Sequence, residues 1–154
     1  MSDHNDGQDK KLEAANRRIF ELTEILYDIG IRNFVFIEVA PLELLPARQR
    51  KKVDLSSQKI EQFIYAKTLW NGFLKQNTLL FQQTHHDAKV THVEVWDIFY
   101  QAFFHPQSLG AKNSTCIDPK GKTCLWADPW HPGREIHQLI GARIAEKVWE
   151  SGVI

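Results

Sequence analysis

Asp128 and His131 stand three residues apart in the stretch Trp126-Ala-Asp-Pro-Trp-His-Pro-Gly133. On a turn stiffened by Pro129 and Pro132, that spacing lets a carboxylate orient an imidazole while the second ring nitrogen faces outward. A general base in acyl transfer needs that arrangement. The same residues also describe a helix N-terminus capped by polar groups, with Pro132 suited to the first helical position. Trp126 and Trp130 flank Asp128 and are candidates for the walls of an acyl or sugar subsite.

Other polar clusters carry less chemistry. His85, His86, Asp87 and His92 place three imidazoles and a carboxylate within eight residues. Adjacent histidines at a helix end project in different directions, however, and no i, i+4 pair of a helical zinc site is present. A polar helix terminus is the simpler reading, and neither a metal nor a cofactor is expected. Cys116 and Cys124 lie eight apart in a polar loop, with Pro119 and Gly121 between them to turn the chain back. Without further thiols or paired histidines they make a poor zinc site and fit a small disulfide loop. Asn113-Ser114-Thr115 in the same loop is a glycosylation acceptor triplet, and with the disulfide it suggests an extracytoplasmic ancestry. The first thirty residues nevertheless show no basic segment followed by an uninterrupted apolar one, so no secretory signal is expected there. His137 reads as a satisfied buried histidine. The aromatics from Trp96 to Phe104 recur at helical spacing, which makes core packing their default role.

At 154 residues and 43% hydrophobic, the chain can bury one core. Nineteen basic residues balance nineteen acidic ones, which leaves no field to hold nucleic acid or an anionic membrane surface. No apolar run reaches the roughly 18 residues of a membrane-spanning helix. The run Arg48, Arg50, Lys51 and Lys52 is read as a solvated loop.

The elements that must position Asp128 and His131 follow from periodicity. Leu12, Ile19, Leu22, Ile25, Leu26 and Ile29 form the stripe of an amphipathic helix over 10–29, stopped by Gly30. Asn33 to Val39 is nearly all apolar and β-branched, the composition of a parallel strand covered on both faces. Pro41 and Pro46 follow it. Ser56 or Ser57 caps a second long helix that runs to the His85-His86 pair, and a second strand spans Lys89 to Trp96. A last helix starts near Pro132, with Ile136, Leu139, Ile140, Ile144 and Val148 as its buried stripe. The alternation predicts an α/β fold with right-handed crossovers and a doubly wound parallel sheet. Two strands are too few to cover their helices. Residues 1–154 therefore read as one partial domain, the second half of a larger one, whose exposed sheet edge invites association.

Asp128-Pro-Trp-His131-Pro, followed by a helix with His137 and Ile140-Gly-Ala-Arg-Ile-Ala145, resembles the last block of the GDSL/SGNH esterases and lipases, in which Asp-x-x-His precedes the C-terminal helix. Leu26-Tyr-Asp-Ile-Gly-Ile-Arg-Asn-Phe-Val-Phe-Ile-Glu-Val-Ala-Pro41, with Pro46, is similar to that family's helix, turn, strand and paired-proline segment. Trp70-Asn71, Asp97 after the second strand, and the late cysteine loop come in the same order. The resemblance covers about residues 20 to 148, and its best parts look like the secreted, carbohydrate-esterase-like branch. It implies the C-terminal part of a three-layer SGNH hydrolase fold and an extracellular setting. It also implies hydrolysis of a small-molecule or glycan ester, such as glycan deacetylation, by a serine nucleophile. His131 would be the general base and acid, and Asp128 would hold its tautomer.

The departures are as informative. That family's serine lies in a Gly-Asp-Ser motif, and none of Ser2, Ser56, Ser57, Ser108, Ser114 or Ser151 has such a context. Asp3-His-Asn-Asp6 is similar to the tail of the family's Asn motif, with Asn5 as oxyanion donor, but Asp stands where its leading Gly belongs. The chain alone is therefore expected to have no esterase turnover. The alternative is a non-catalytic α/β binding or interaction protein derived from that fold.

Overall fold

The computed structural model describes residues 6–49 and 57–150. Along the chain run α1 (Asp6–Asp28), β1 (Asn33–Ile37), a 3-10 turn (Leu42–Leu44), α2 (Pro46–Gln49), α3 (Ser57–Thr84), β2 (Lys89–Val93), α4 (Trp96–Phe104), a second 3-10 turn (Pro106–Leu109) and α5 (Arg134–Glu150). The result is an α/β arrangement, mostly helical, around a two-stranded parallel sheet. Its register runs from Asn33 opposite Lys89 to Ile37 opposite Val93.

Local chemistry sets the boundaries. Gly30 takes a left-handed φ of 103°, a conformation open to a residue without Cβ. It lets the Ile31 amide reach the Leu26 carbonyl (3.0 Å) and its own amide reach Tyr27 (2.9 Å), the paired bonds of a Schellman cap that close α1. Arg32 then turns the chain toward β1, donating to Asp87 Oδ2 at 2.7 Å while Tyr27 donates to Asp87 Oδ1 at 2.6 Å. At the far end of β1 the Asn71 side chain on α3 accepts from the Val39 amide and donates to the Val39 carbonyl, at 2.9 and 3.0 Å. The strand exit is thereby pinned to the crossover helix.

The sheet separates two packed layers. On one side Phe34, with Phe36 and Val90, meets Phe20 of α1 and Leu74 and Phe81 of α3. On the other, Val93 joins Val95, Ile98, Phe99, Ala102, Leu125, Trp126 and Ile136 beneath α4 and α5. Leu139, Ile140 and Ile144 pack against that second cluster.

Three expectations are corrected. Only part of the expected apolar stripe of α1 faces the core: Ile19 packs against it and Leu12 is half-buried, but Leu22, Ile25, Leu26 and Ile29 are exposed, Ile29 at 72%, while Asn16, Phe20 and Thr23 are buried. Asn77 donates to Asn16 Oδ1 (2.8 Å) and Thr23 donates to the Ile19 carbonyl (2.9 Å), while Asn16 Nδ2 is left without a partner among the described residues. Strand β1 is covered on one face only, with Val35 and Ile37 exposed opposite Phe34, because a two-stranded sheet cannot draw helices across both sides of each strand. Finally, α5 begins at Arg134, two residues beyond Pro132, which instead forms a bridge with Trp126. None of the helices among the described residues is long and apolar enough to cross a membrane.

Helices α4 and α5 are clamped by Arg143, whose guanidinium donates to Asp97 Oδ2 at 2.7 Å and Oδ1 at 3.3 Å. That pairing, above all the side-chain hydrogen bond, holds the Asp97 carboxyl below its ordinary 3.8. A carboxylate with a depressed folded-state pKa contributes stability that is present above the unfolded value and lost as pH falls through the folded one. Asp97→Asn should therefore destabilise the chain at pH 7 by about 0.5–1 kcal/mol, discounted because the pair is partly solvated. Urea melts at descending pH should show the two proteins converging only once the pH has fallen below the ordinary carboxylate value of 3.8.

Candidate active site

Asp128 builds the turn that carries His131. Its Oδ1 accepts from the backbone amides of Trp130 (2.7 Å) and His131 (2.9 Å), and its Oδ2 lies 2.7 Å from His131 Nδ1. The Trp130 amide first, and then the His131 imidazole, hold the carboxyl below the ordinary carboxylate range. An ionised Asp128 is an acceptor only, so in the neutral imidazole the proton belongs on Nδ1 and the lone pair on Nε2. The imidazole is 74% exposed with Nε2 free to take a proton from an incoming hydroxyl.

The loop beneath this turn is fixed from several directions. The Ala127 amide donates to the His131 carbonyl (3.1 Å) and the Gly133 amide to the Leu125 carbonyl (2.6 Å). A Cβ at Gly133 would stand 3.0 Å from the Leu125 oxygen, so any larger residue there needs the facing backbone to give by a few tenths of an ångström. The Ala47 amide on α2 donates to the Pro129 carbonyl at 2.9 Å, joining the turn to the segment that follows β1. Upstream, Cys116 and Cys124 are joined in a disulfide. Asp118 organises the loop they close by accepting from the amides of Lys120 (2.9 Å), Lys122 (3.0 Å) and Thr123 (3.2 Å).

The two tryptophans part company. Trp126 is 1% exposed, packed beside Phe99, and its indole donates to the Ser114 carbonyl at 2.7 Å. It is a core anchor beneath the turn rather than a subsite wall, which corrects the expectation drawn from its place next to Asp128. Trp130 is exposed, and the Arg48 guanidinium lies 5.2 Å from its ring and 4.1 Å from that of Phe63. Arg48 thus borders the site although it belongs to a basic run read as solvated loop; Arg50, Lys51 and Lys52 of that run lie outside the described residues.

Further placements differ from the sequence reading. His137 is exposed, not buried, because Ile136, Leu139 and Ile140 take the inner face of α5. On α4, Ile98, Phe99 and Ala102 are core, but Trp96, Tyr100 and Phe104 form an exposed row with ring centroids 5.8 and 5.7 Å apart. The histidine-rich segment is dispersed: His85 faces Glu24 at 3.0 Å, Asp87 is held by Tyr27 and Arg32, and His92 sits within β2 beside Glu38 at 3.6 Å. Strand alternation, which puts His92 and Glu94 on one face, is the signal that would have found that grouping.

Asn113 is exposed and its Oδ1 accepts from the Thr115 amide at 3.1 Å. Asn5, Ser2, Ser56 and Ser151 lie outside the described residues, as does the side chain of Ser57. Ser108 donates to the His105 carbonyl at 2.7 Å, and among the described residues His131 makes no hydrogen bond to a serine.

No family model matches the sequence. The chain is similar to a protein named acetylesterase from Thermothelomyces thermophilus, 33% identical over 138 residues, which are 90% of this chain and 45% of that protein. The chain therefore spans less than half the length of the curated relative it matches.

Replacing Asp128 by Asn removes the anionic acceptor that selects the imidazole tautomer. In ¹⁵N-detected spectra near pH 8, His131 of the native chain should carry its proton on Nδ1, and D128N should show a rise of the Nε2–H form. An unchanged tautomer ratio would mean that Asp128 shapes the backbone turn alone.

Proposed function

We propose that this chain supplies the base-bearing part of a GDSL/SGNH-type serine esterase that hydrolyses an acetyl ester, on a small molecule or a glycan. The observation that carries the reading is the 2.7 Å contact between Asp128 Oδ2 and His131 Nδ1, with Nε2 directed to solvent. In the proposed reaction His131 Nε2 takes the proton of a serine hydroxyl as its oxygen attacks the ester carbon. The imidazolium then returns that proton to the departing alcohol, and water repeats the cycle on the acyl-enzyme. Asp128 stays ionised and stabilises the imidazolium. Trp130, with Arg48 against its ring, is placed to border the acyl or sugar group.

None of the serines here lies in a Gly-Asp-Ser context, so the proposal places the nucleophile outside these 154 residues, with Asn5 as a candidate oxyanion donor. Two features support the larger assembly and its setting. The exposed Leu22, Ile25, Leu26 and Ile29 of α1, and Val35 and Ile37 on the outer face of β1, are apolar side chains that the rest of such a hydrolase would cover. The Cys116–Cys124 disulfide and the Asn113 triplet suit an extracellular location.

The test uses a fluorophosphonate probe and 4-nitrophenyl acetate. The chain by itself should neither label nor turn over. Joined to the part of the related acetylesterase that lies outside the match, where the proposal expects the serine, it should do both, and His131→Ala in that joined protein should lower kcat at least about 10³-fold without a change in circular dichroism. Stoichiometric labelling of the chain alone, or full turnover in the His131→Ala protein, would refute the assignment.

A further inference from the structure

A second cluster lies at the carboxyl ends of the two strands, and the esterase reading makes no use of it. Phe34, Phe36 and Glu38 alternate along one face of β1 and its extension, and Val90, His92 and Glu94 along the same face of β2, with Phe36 opposite His92. The inner members pack beneath α1 and α3. One step further out the apolar residues give way to Glu38, His92 and Glu94, each offering a ligand atom, and these three atoms lie within 4.8 Å of one another.

Glu94 is paired with Lys75 at 3.1 Å, but Glu38 and His92 make no hydrogen bond to each other. The Glu38 side chain is only 10% exposed. Among the described residues its carboxylate makes no hydrogen bond and has no Lys or Arg within 4 Å; its one ion-pair contact is His92 Nε2 at 3.6 Å. His92 Nε2 is itself enclosed and without a hydrogen-bond partner. Of the neighbouring cations, Lys67 is committed to Glu43 at 2.9 Å and Arg143 to Asp97 at 2.7 Å, while Lys75 pairs with Glu94 of the cluster itself. An enclosed ring nitrogen left without a hydrogen-bond partner is costly, and native interiors rarely hold one.

The spacing has a chemical reading. At 3.6 Å the pair is too far apart for a hydrogen bond. Two ligands on one divalent ion, each bound at roughly 2.1 Å in a tetrahedral array, stand about 3.4 Å apart. An open cleft of about 510 Å³, lined by His92, Glu94, Arg143, Glu146 and Lys147, leads to the cluster and leaves room for water. Lys75 holds Glu94 at 3.1 Å, but both side chains of that pair are exposed, and such contacts yield readily.

We propose that Glu38, His92 and Glu94 bind one first-row divalent transition-metal ion, with water in its remaining positions. One imidazole and two carboxylates suit Zn²⁺, Mn²⁺ or Fe²⁺ and do not suit Mg²⁺ or Ca²⁺, which prefer all-oxygen shells. The ion would tie the ends of β1 and β2 together at the rim of the sheet. This site is independent of the esterase assignment and stands or falls without it.

The full chain, stripped with a chelator, should bind one equivalent of Zn²⁺ in calorimetry, and Co²⁺ in its place should give visible d–d absorption. Glu38→Gln and His92→Gln should each weaken Zn²⁺ binding at least tenfold, while His86→Gln, at an exposed position, should leave it unchanged. Native affinity retained in both site variants would overturn the proposal, as would the absence of stoichiometric binding to the native chain. Should the variants fail to fold by circular dichroism, NMR of the native chain decides. Co²⁺ should shift and broaden the His92 imidazole signals first, and an undisturbed His92 at one equivalent would refute the site.

Discussion

Strands β1 and β2 run side by side in the same direction, and parallel neighbours cannot be joined by a hairpin. The chain must leave the carboxyl end of β1, return along the sheet and re-enter beside its starting point. Helix α3, from Ser57 to Thr84, makes that return. Its path lays Leu74 and Phe81 over Phe34 and brings Asn71 to the Val39 backbone. Because both strands point the same way, both exits lie on one rim. There the chain leaves the apolar layer and polar side chains become affordable, so chemistry gathers at the carboxyl ends of parallel strands. Glu38 and Glu94 mark that change from apolar to polar within a residue of each strand's end.

The candidate base is presented by a different device. Between the 3-10 turn at Pro106–Leu109 and α5 the chain has no regular element, and an irregular loop must find partners for its backbone groups. Here buried and exposed parts divide the work. Trp126 roots the loop in the core and bonds the Ser114 carbonyl, Asp118 gathers the amides inside the disulfide loop, and Gly133 lets two stretches of backbone approach closely. Above that base Asp128 uses one oxygen for the turn and the other for the imidazole. A single carboxylate thus couples backbone shape to the orientation of His131. Positional accuracy at an exposed ring comes from these local bonds rather than from burial.

Much of this was legible in the sequence because it depends on residues near one another along the chain. Gly30 as a helix stop, the two strands, the long crossover helix, the cysteine loop and the Asp128–His131 spacing all rest on local propensity or short-range contact. What was not legible depends on partners brought in from far away. Trp126 and Trp130 have the same side chain four residues apart, yet one is a core anchor and the other faces solvent beside Arg48. His137 was read as buried from its neighbours, although its position on α5 points it outward. Glu38 meets His92 only through the register of β1 against β2, which no single segment specifies.

The reversed face of α1 shows how strongly such partners can override composition. Its inner face is chosen by what α3 offers, namely Asn77 for Asn16 and Phe81 for Phe20, so Leu22, Ile25, Leu26 and Ile29 are turned away. Together with Val35 and Ile37 they leave six aliphatic side chains roughly half in water. Covering the exposed part of each is worth about 1 kcal/mol or more, and the set therefore on the order of 5 kcal/mol or more. Net domain stability is itself only about 5–15 kcal/mol. The register and crossover that bring Glu38 to His92 thus also fix which side of α1 meets α3, and they leave apolar side chains exposed on the far side of α1 and on the outer face of β1.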